Sequence, residues 1–246
     1  MSDSQLRDLL GLLEGADSVE LKLTVPEAEH PAVARALGID PLAAEIRQVY
    51  FFDTPDLTLN DHGVVVRARR AQRKGGDSVV KLRPVVPADL HGSLRKARGF
   101  TVEVDAMPGG FVCSGTLKRS VDAADVRKVG LGERPVSSIL SKRQRALAAE
   151  RGPDGLDLDG LSVLGPVLVL KLKWEPEGFE RRMVTELWLY PDGSRVLELS
   201  TKCGPDDAFR VAAETRAFLA ERGVDTSGEQ ETKTKKALEF YAAAGC

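Results

Sequence analysis

The sequence predicts an α+β fold built around a mostly antiparallel sheet, and three patterns indicate it. Several short segments, of which residues 19–23 are the first, alternate charged and apolar side chains with the two-residue period of a strand. Turn-forming sequences at 75–77 and 191–194 join pairs of these segments as hairpins. Leucines at helical spacing near the start, and an amphipathic segment near the end, indicate helices that flank the sheet.

Each element follows from a local signal. Residues 43–53 are rich in Ile, Val, Tyr and Phe, which favour a strand, whereas 26–38 opens with proline and closes with glycine, as helices do. The sequence predicts strands at 18–25, 43–53, 63–71, 77–86, 100–106, 143–149, 166–174, 182–190 and 194–203. It predicts helices at 4–13, 26–38, 122–129, 135–140, 205–222 and 232–244.

The length and composition indicate one domain spanning residues 1–246. An apolar content of 42% is enough for a core, and no low-complexity linker interrupts the chain. We expect an N-terminal helix in 1–15, the strands with inserted helices in 16–203, and C-terminal helices in 204–246.

The charge and the cysteines limit the possible partners and compartments. A net charge of −2 gives no general attraction to nucleic acid or membrane, so we expect neither as a partner. Basic runs at 95–98 and 233–236 are more typical of a solvated surface than of a nucleic-acid site. No signal peptide or membrane span is evident, and three scattered cysteines form no disulfide framework, which favours a cytoplasmic location.

Cationic side chains recur in pairs along the predicted strands. Residues two apart share one face of a strand, so each pair lies on one side of the sheet. Like charges on neighbouring strands repel one another, and their repetition is costly unless an anion lies between them. Arginine favours phosphate as that anion, because its guanidinium donates two parallel hydrogen bonds. The pairs are Arg67 with Arg69, Lys81 with Arg83, Arg143 with Arg145, and Lys171 with Lys173.

Carboxylates also lie within the predicted strands. Hard oxygen ligands of this kind bind Mg²⁺ or Mn²⁺, and phosphate oxygens can complete the coordination shell. The alternative is that some of these groups only neutralise the cations. The carboxylates are Glu20, Glu103, Asp105, Glu186 and Glu198.

The order of these motifs resembles that of the CYTH-domain proteins, the triphosphate tunnel metalloenzymes. Residues 18–22 (SVELK) are similar to the family's first-strand Glu-x-Glu-x-Lys motif, and 50–55 (YFFDTP) to its Asp-Thr-Pro turn. Residues 63–69 and 80–84 resemble the two basic strands that follow. The resemblance continues through Glu103-Val104-Asp105, 142–145 and 198–200, and so spans nearly the whole chain.

The resemblance implies an eight-stranded antiparallel β-tunnel with helices outside, which binds a triphosphate together with Mg²⁺ or Mn²⁺. It implies catalytic roles for Lys22 and Glu20. The phosphate ligands indicated by the resemblance and by strand alternation are Lys22, Arg67, Arg69, Lys81, Arg83, Arg143, Arg145, Lys171, Lys173 and Lys202. The metal ligands indicated in the same way are Glu20, Glu103, Asp105, Glu186 and Glu198.

Two positions depart from the family pattern. Ser18 replaces the first glutamate of the opening motif, and Ser200 replaces the second acidic residue of the last strand. Each change removes one anionic ligand, so we expect one metal site to survive and a second to be weakened. Asp17 could compensate only if a bulge turned it inward, because strand alternation points it to the opposite face.

Metal-dependent hydrolysis of a triphosphate is the leading hypothesis. The resemblance leaves two alternatives, an adenylate cyclase and a non-catalytic module that binds polyphosphate or another phosphorylated ligand. Lys22 could take part in proton transfer or could only bind phosphate. A monomer and a homodimer are both compatible with the sequence.

Overall fold

The computed structural model describes residues 3–225, 230 and 232–243, and nine strands within them close into a barrel. The strands are β1 (Ser18–Val25), β2 (Glu45–Asp53), β3 (Val64–Ala71), β4 (Lys74–Leu82), β5 (Phe100–Met107), β6 (Gly110–Val121), β7 (Ser162–Trp174), β8 (Met183–Leu189) and β9 (Arg195–Cys203). Their order around the barrel is β1-β5-β6-β4-β3-β2-β7-β8-β9, and β9 pairs with β1.

Neighbouring strands are antiparallel, apart from the parallel pair β1 and β5. That pair is short, since only the positions from Ser18 to Leu21 lie beside Glu103 to Ala106. β1 instead pairs with β9 along most of its length. The β1–β5 contact is therefore the seam at which the sheet closes on itself.

Helices pack on the strands and fill one end of the barrel. The helices are α1 (Asp3–Leu13), α2 (His30–Ala36), α3 (Thr58–Asp61), α4 (Gly92–Arg95), α5 (Ala123–Gly130), α6 (Lys142–Arg151), α7 (Ala208–Glu221) and α8 (Lys233–Ala243). No helix in the described part of the chain combines the length and the apolarity that crossing a lipid bilayer requires.

The outward face of the barrel is apolar and lies under helices. Val64, Val66 and Ala68 of β3 belong to a buried cluster that includes side chains of α5 and α6. On the other side, Leu197 and Leu199 of β9 pack in a cluster with α7. Because strand residues alternate, the charged neighbours of these side chains face the interior.

Helix α8 lies inside the barrel at one end. Its residues Ala237, Leu238 and Tyr241 are buried against inward-facing side chains that include Val49 and Trp188. The opposite end, where β2 and β4 begin and β3 and β7 end, is called the mouth below. The interior is therefore closed at one end by an apolar contact.

The predicted α+β class and closed barrel are confirmed, but the strand count is wrong. Nine strands are present where the family resemblance implied eight. Of the nine segments predicted from local signals, eight are strands and 143–149 is a helix, while β6 gave no signal in the sequence. This strand carries Gly115 near its centre, where a side chain would meet the ring of Phe100 at 2.8 Å. It also lacks the alternating charges that mark the other strands. The sheet is mixed, since β1 and β5 are parallel.

The strand predicted at 143–149 is a helix, α6. At the start of the helix the Ser141 hydroxyl accepts from the Gln144 backbone N–H, and Gln144 Oε1 accepts from the Ser141 backbone N–H, which completes a capping box. Gln144 Nε2 also donates to the carbonyl oxygens of Ser78 (3.0 Å) and Leu117 (3.1 Å). These bonds hold α6 against the outer face of β4 and β6, outside the tunnel.

The cysteines in the described part of the chain form no disulfide bond. Cys113 and Cys203 are buried and free, while Cys246 lies outside the described residues.

Candidate functional site

Three carboxylates meet inside the barrel at the β1–β5 seam. Glu20 lies beside Asp105, and Ser18 lies beside Glu103, so the parallel register brings both strands' acids together. Glu20, Glu103 and Asp105 each offer an oxygen within 4.8 Å of the others. Carboxylate oxygens at this spacing suit a hard divalent cation, so the donor set fits Mg²⁺ or Mn²⁺.

Asp105 is the centre of this cluster and is completely buried. Its oxygens contact the amines of Lys22 (2.7 Å) and Lys81 (3.6 Å) and the guanidinium of Arg83 (3.4 Å). Burial alone would raise the pKa of Asp105, but these three cations outweigh it and hold the pKa well below its usual range. Asp105 is therefore an anion surrounded by cations from β1, β4 and the segment just after β4.

The two lysines near Asp105 have different electrostatic environments. Burial opposes the charge of Lys22, but Asp105 and Glu20 raise its pKa above the usual value, so the amine stays protonated. Its amine lies 3.2 Å from Glu20. Burial lowers the pKa of Lys81 to about 8, and the attraction of Asp105 offsets only part of this effect.

The two serines that replace acidic residues hydrogen-bond to the remaining acids. Ser18 Oγ donates to Glu103 (3.3 Å), and Ser200 Oγ donates to Glu20 (3.0 Å). Each hydroxyl orients a carboxylate but adds no negative charge. Asp17 faces away from the tunnel, because its carboxylate accepts from the Val102 backbone (2.6 Å).

Arg67 and Arg69 both face the interior from β3 but have different partners. Arg69 donates two hydrogen bonds to Asp77, at 3.0 and 2.9 Å, and Lys118 approaches the same carboxylate at 3.4 Å. Arg67 forms no ion pair within the described residues, and its Nε has no hydrogen-bond partner there. Burial, with the added repulsion of Arg69, lowers the Arg67 pKa to about 10.

Glu186 and Glu198 form a second acidic group, next to α8. Lys171 lies 2.6 Å from Glu186, and the Lys233 amine contacts both Glu186 and, at 2.6 Å, Glu198. Burial would raise the pKa of Glu186, but Lys233 and Lys171 hold it well below the usual value. The five predicted metal ligands thus separate into a group of three and a pair that is already neutralised by ammonium groups.

The remaining predicted phosphate ligands lie at the mouth or outside the barrel. Lys202 is exposed and pairs with Glu103, and Lys173 is exposed near the end of β7. The tunnel position predicted for Arg143 and Arg145 is wrong, because both lie on α6. Arg145 instead donates to the Leu140 carbonyl at 2.8 Å, and Arg143 is exposed to solvent.

Five charged residues in or near the tunnel, within the described part of the chain, are missing from the sequence-based site. Asp77 on β4 and Lys118 on β6 occupy inward-facing positions of neighbouring strands. Because the sequence did not predict β6, it could not show that these two residues lie close together. Arg47 pairs with Glu45 at 2.6 Å, both on β2. Lys233 is in a basic run that resembles solvated surface, and only its place inside the barrel distinguishes it.

Comparison with solved structures shows the same architecture in two proteins of low sequence identity. A Hippeastrum adenylyl cyclase candidate, described as having a dominant triphosphatase activity, matches with a TM-score of 0.66 and 18% identity over 90% of this chain and 95% of that one. An adenylate cyclase candidate from Bacillus halodurans matches with a TM-score of 0.61 and 11% identity over 89% of this chain and 98% of that one.

Sequence comparison adds nothing to this. No protein-family model matches the chain, and no curated protein shows significant similarity to it. The structure nevertheless defines the class, because a closed barrel with charged side chains directed inward and helices outside is a CYTH-like tunnel fold.

Proposed function

We propose that this protein hydrolyses a triphosphate-containing substrate inside the barrel with the help of a divalent metal. The observation that supports this most directly is Arg67, a partly buried cation whose buried Nε has no hydrogen-bond partner and whose guanidinium forms no ion pair among the described residues. A buried charge is costly unless it is paired. A phosphate group of a bound substrate would supply the missing negative charge.

The acidic cluster fits the metal that such a reaction needs. Glu20, Glu103 and Asp105 would hold Mg²⁺ or Mn²⁺. When bound, the ion supplies Lewis acidity to phosphate oxygens. The serines at 18 and 200 fix the orientation of Glu103 and Glu20 by hydrogen bonds, which favours one well-formed site over two.

The cations on β3 and β4 would bind and orient the phosphate chain. Lys81 and Arg83, which contact Asp105 from the same interior face, would hold phosphate oxygens of the substrate. Phosphoryl transfer depends mainly on positioning and charge neutralisation, which these side chains supply. Asp105 and Glu20 raise the pKa of Lys22, so its amine is protonated when these carboxylates are its partners, and a protonated amine is suited to binding phosphate.

The two alternatives differ in what they leave unexplained. A cyclase needs a site for adenine next to the phosphates, and no feature of the described interior identifies one. A non-catalytic binding module is favoured by Ser18 and Ser200, which remove two anionic ligands. The complete trio of Glu20, Glu103 and Asp105 favours catalysis over binding alone.

The test is a phosphate-release assay on tripolyphosphate and ATP, with Mg²⁺ or Mn²⁺, using the wild type and Glu20→Gln. We expect metal-dependent release that falls by at least about 100-fold in Glu20→Gln, because the substitution removes a metal ligand. Glu27→Gln, an exposed acid paired with Arg195, is the matched control and should keep the wild-type rate.

Each other outcome identifies a different function. Release that persists in Glu20→Gln would place the chemistry elsewhere. Cyclic AMP formation from ATP, without release of inorganic phosphate, would identify a cyclase. Metal-dependent binding of tripolyphosphate without turnover would identify a binding module.

A further inference from the structure

The outer surface beside the mouth carries a group of exposed cations that have no carboxylate partner among the described residues. They lie on three elements that are adjacent in the fold: the segment after α4, the end of β6, and the start of α6. This group is called the basic strip, and it consists of Lys96, Arg98, Arg119, Lys142 and Arg143.

Backbone and side-chain contacts fix the three elements together. Ser78 and Arg119 are paired across β4 and β6, and the Gln144 side chain of α6 bonds to the Ser78 carbonyl. The Lys118 backbone donates to the Gly99 carbonyl at 2.9 Å. Arg98, Arg119 and Arg143 are each one residue from these contacts, so the fold holds their backbones close together.

Two acids near the strip have arginine partners outside it. Asp17 lies 3.4 Å from Arg95, and Glu150 lies 3.7 Å from Arg151. The chain as a whole has a net charge of −2, so the strip is a local concentration of positive charge and not part of a basic protein. Such a concentration raises the local density of anions and attracts an anionic ligand.

The strip is continuous with the tunnel through β6. Lys118 faces inward and approaches Asp77 at 3.4 Å, while the next residue, Arg119, faces outward. Both residues lie within the last four positions of β6, so the interior cation Lys118 and the strip residue Arg119 lie near the same rim of the barrel. A surface cavity of about 430 Å³ adjoins the strip between α4 and α6, and the charged residues and the histidine that line it are His91, Arg143, Glu150 and Arg151.

We infer that the basic strip is a second binding site for linear polyphosphate, which holds the part of a long chain that stays outside the barrel. The inference rests on the proposed function. Because α8 closes the far end of the barrel, a chain longer than the interior must protrude at the mouth. The strip supplies the charges that this protruding segment needs.

Polyphosphate fits the strip better than a single-stranded nucleic acid does. Sequence-tolerant binding of nucleic acid combines backbone charge with aromatic side chains on which the bases stack. The five members of the strip are all cationic, and the neighbouring Phe100 is buried. Polyphosphate needs charge alone.

The experiment measures the kinetics of long-chain polyphosphate and of tripolyphosphate with two variants, each of which removes three positive charges. Arg98→Gln/Arg119→Gln/Arg143→Gln removes three charges from the strip. Arg35→Gln/Arg195→Gln/Arg216→Gln removes three exposed charges from other surfaces. We expect the strip variant to raise KM for long-chain polyphosphate at least about five-fold and to leave kcat/KM for tripolyphosphate within about two-fold. The control variant should change neither.

A binding measurement separates this inference from the proposed function. Calorimetric titration with long-chain polyphosphate is made in an Arg67→Met background, with and without the three strip substitutions. Binding that persists with Arg67→Met and is lost on adding the strip substitutions supports the strip, even if no hydrolysis occurs. Two results would overturn the inference. One is an equal loss of kcat/KM for long-chain polyphosphate and for tripolyphosphate in the strip variant, and the other is stronger binding of single-stranded RNA than of polyphosphate.

Discussion

At the scale of single residues, the site depends on which cations already have a partner. Asp105 contacts three cations and Asp77 holds Arg69, but Arg67 has no anion within the described residues. A phosphate substrate of the proposed kind would therefore displace carboxylates from some cations and bind others directly. We expect Arg67 to contribute more to affinity than Arg69, whose bond to Asp77 must first be broken.

Alternating charge identifies most of the inward residues of β1, β3, β4 and β5, because the strand period fixes the face that each side chain occupies. Lys233 could not be found in this way. Its contacts with Glu186 and Glu198 join the last helix to two strands, and no local pattern specifies that contact. Local sequence is also insufficient to place Arg143, because its two-residue spacing from Arg145 is compatible with a strand or with a helix.

His30 makes the stability depend on pH. Its Nε2 bonds to the Val25 carbonyl at 3.0 Å, while Nδ1 is buried without a partner, and burial lowers the pKa. The unfolded chain therefore binds a proton more readily than the folded one does as the pH falls through about 6.5. Urea unfolding should show the wild type losing stability between about pH 6.5 and 5. His30→Gln should lose less, and equal losses would contradict this assignment.

At the scale of elements, capping and helix formers decide α6. Residues 142–145 show the same alternation as a basic strand, but Ser141 and Gln144 close a capping box ahead of an alanine-rich segment. Sequence reasoning that weighs only charge alternation therefore assigns the wrong element. The opposite error occurs at β6, where a real strand was not predicted. Gly115 and the lack of alternating charge hide the strand in the sequence, although it is long and well paired in the structure.

Helix α8 should be held in the barrel largely by Lys233. Lys233→Met leaves Glu198 without its ammonium partner inside the protein, and we expect the free energy of unfolding to fall by about 3 to 5 kcal/mol. Urea denaturation measures this. Lys235→Met on the same helix is the control, because its side chain is exposed and its one ion pair among the described residues is with the exposed Glu239. This change should alter stability by less than about 0.5 kcal/mol. Similar losses in both variants would show that Lys233 does not hold the helix.

At the scale of the whole molecule, ligand binding should stabilise the barrel. Cations from several strands face one interior, so their repulsion falls when a polyanion enters. A ligand at 100 times its Kd adds about 2.7 kcal/mol, which corresponds to a rise in Tm of roughly 5 to 10 °C for a chain of this size. Scanning calorimetry with tripolyphosphate and Mg²⁺ should show this rise, and sulfate at the same ionic strength should not. Equal shifts with both anions would count against a specific tunnel site.

The closing seam also determines when the barrel can form during synthesis. β1 leaves the ribosome first, but its long antiparallel partner is β9, so Glu20 meets Ser200 only 180 positions later. Contacts of such high sequence separation slow folding, because a long loop must be ordered before they form. Until β9 emerges, the nascent sheet keeps two unpaired edges that can recruit strands from other chains. Cotranslational protection by chaperones should therefore matter more for this topology than for a barrel of consecutive hairpins.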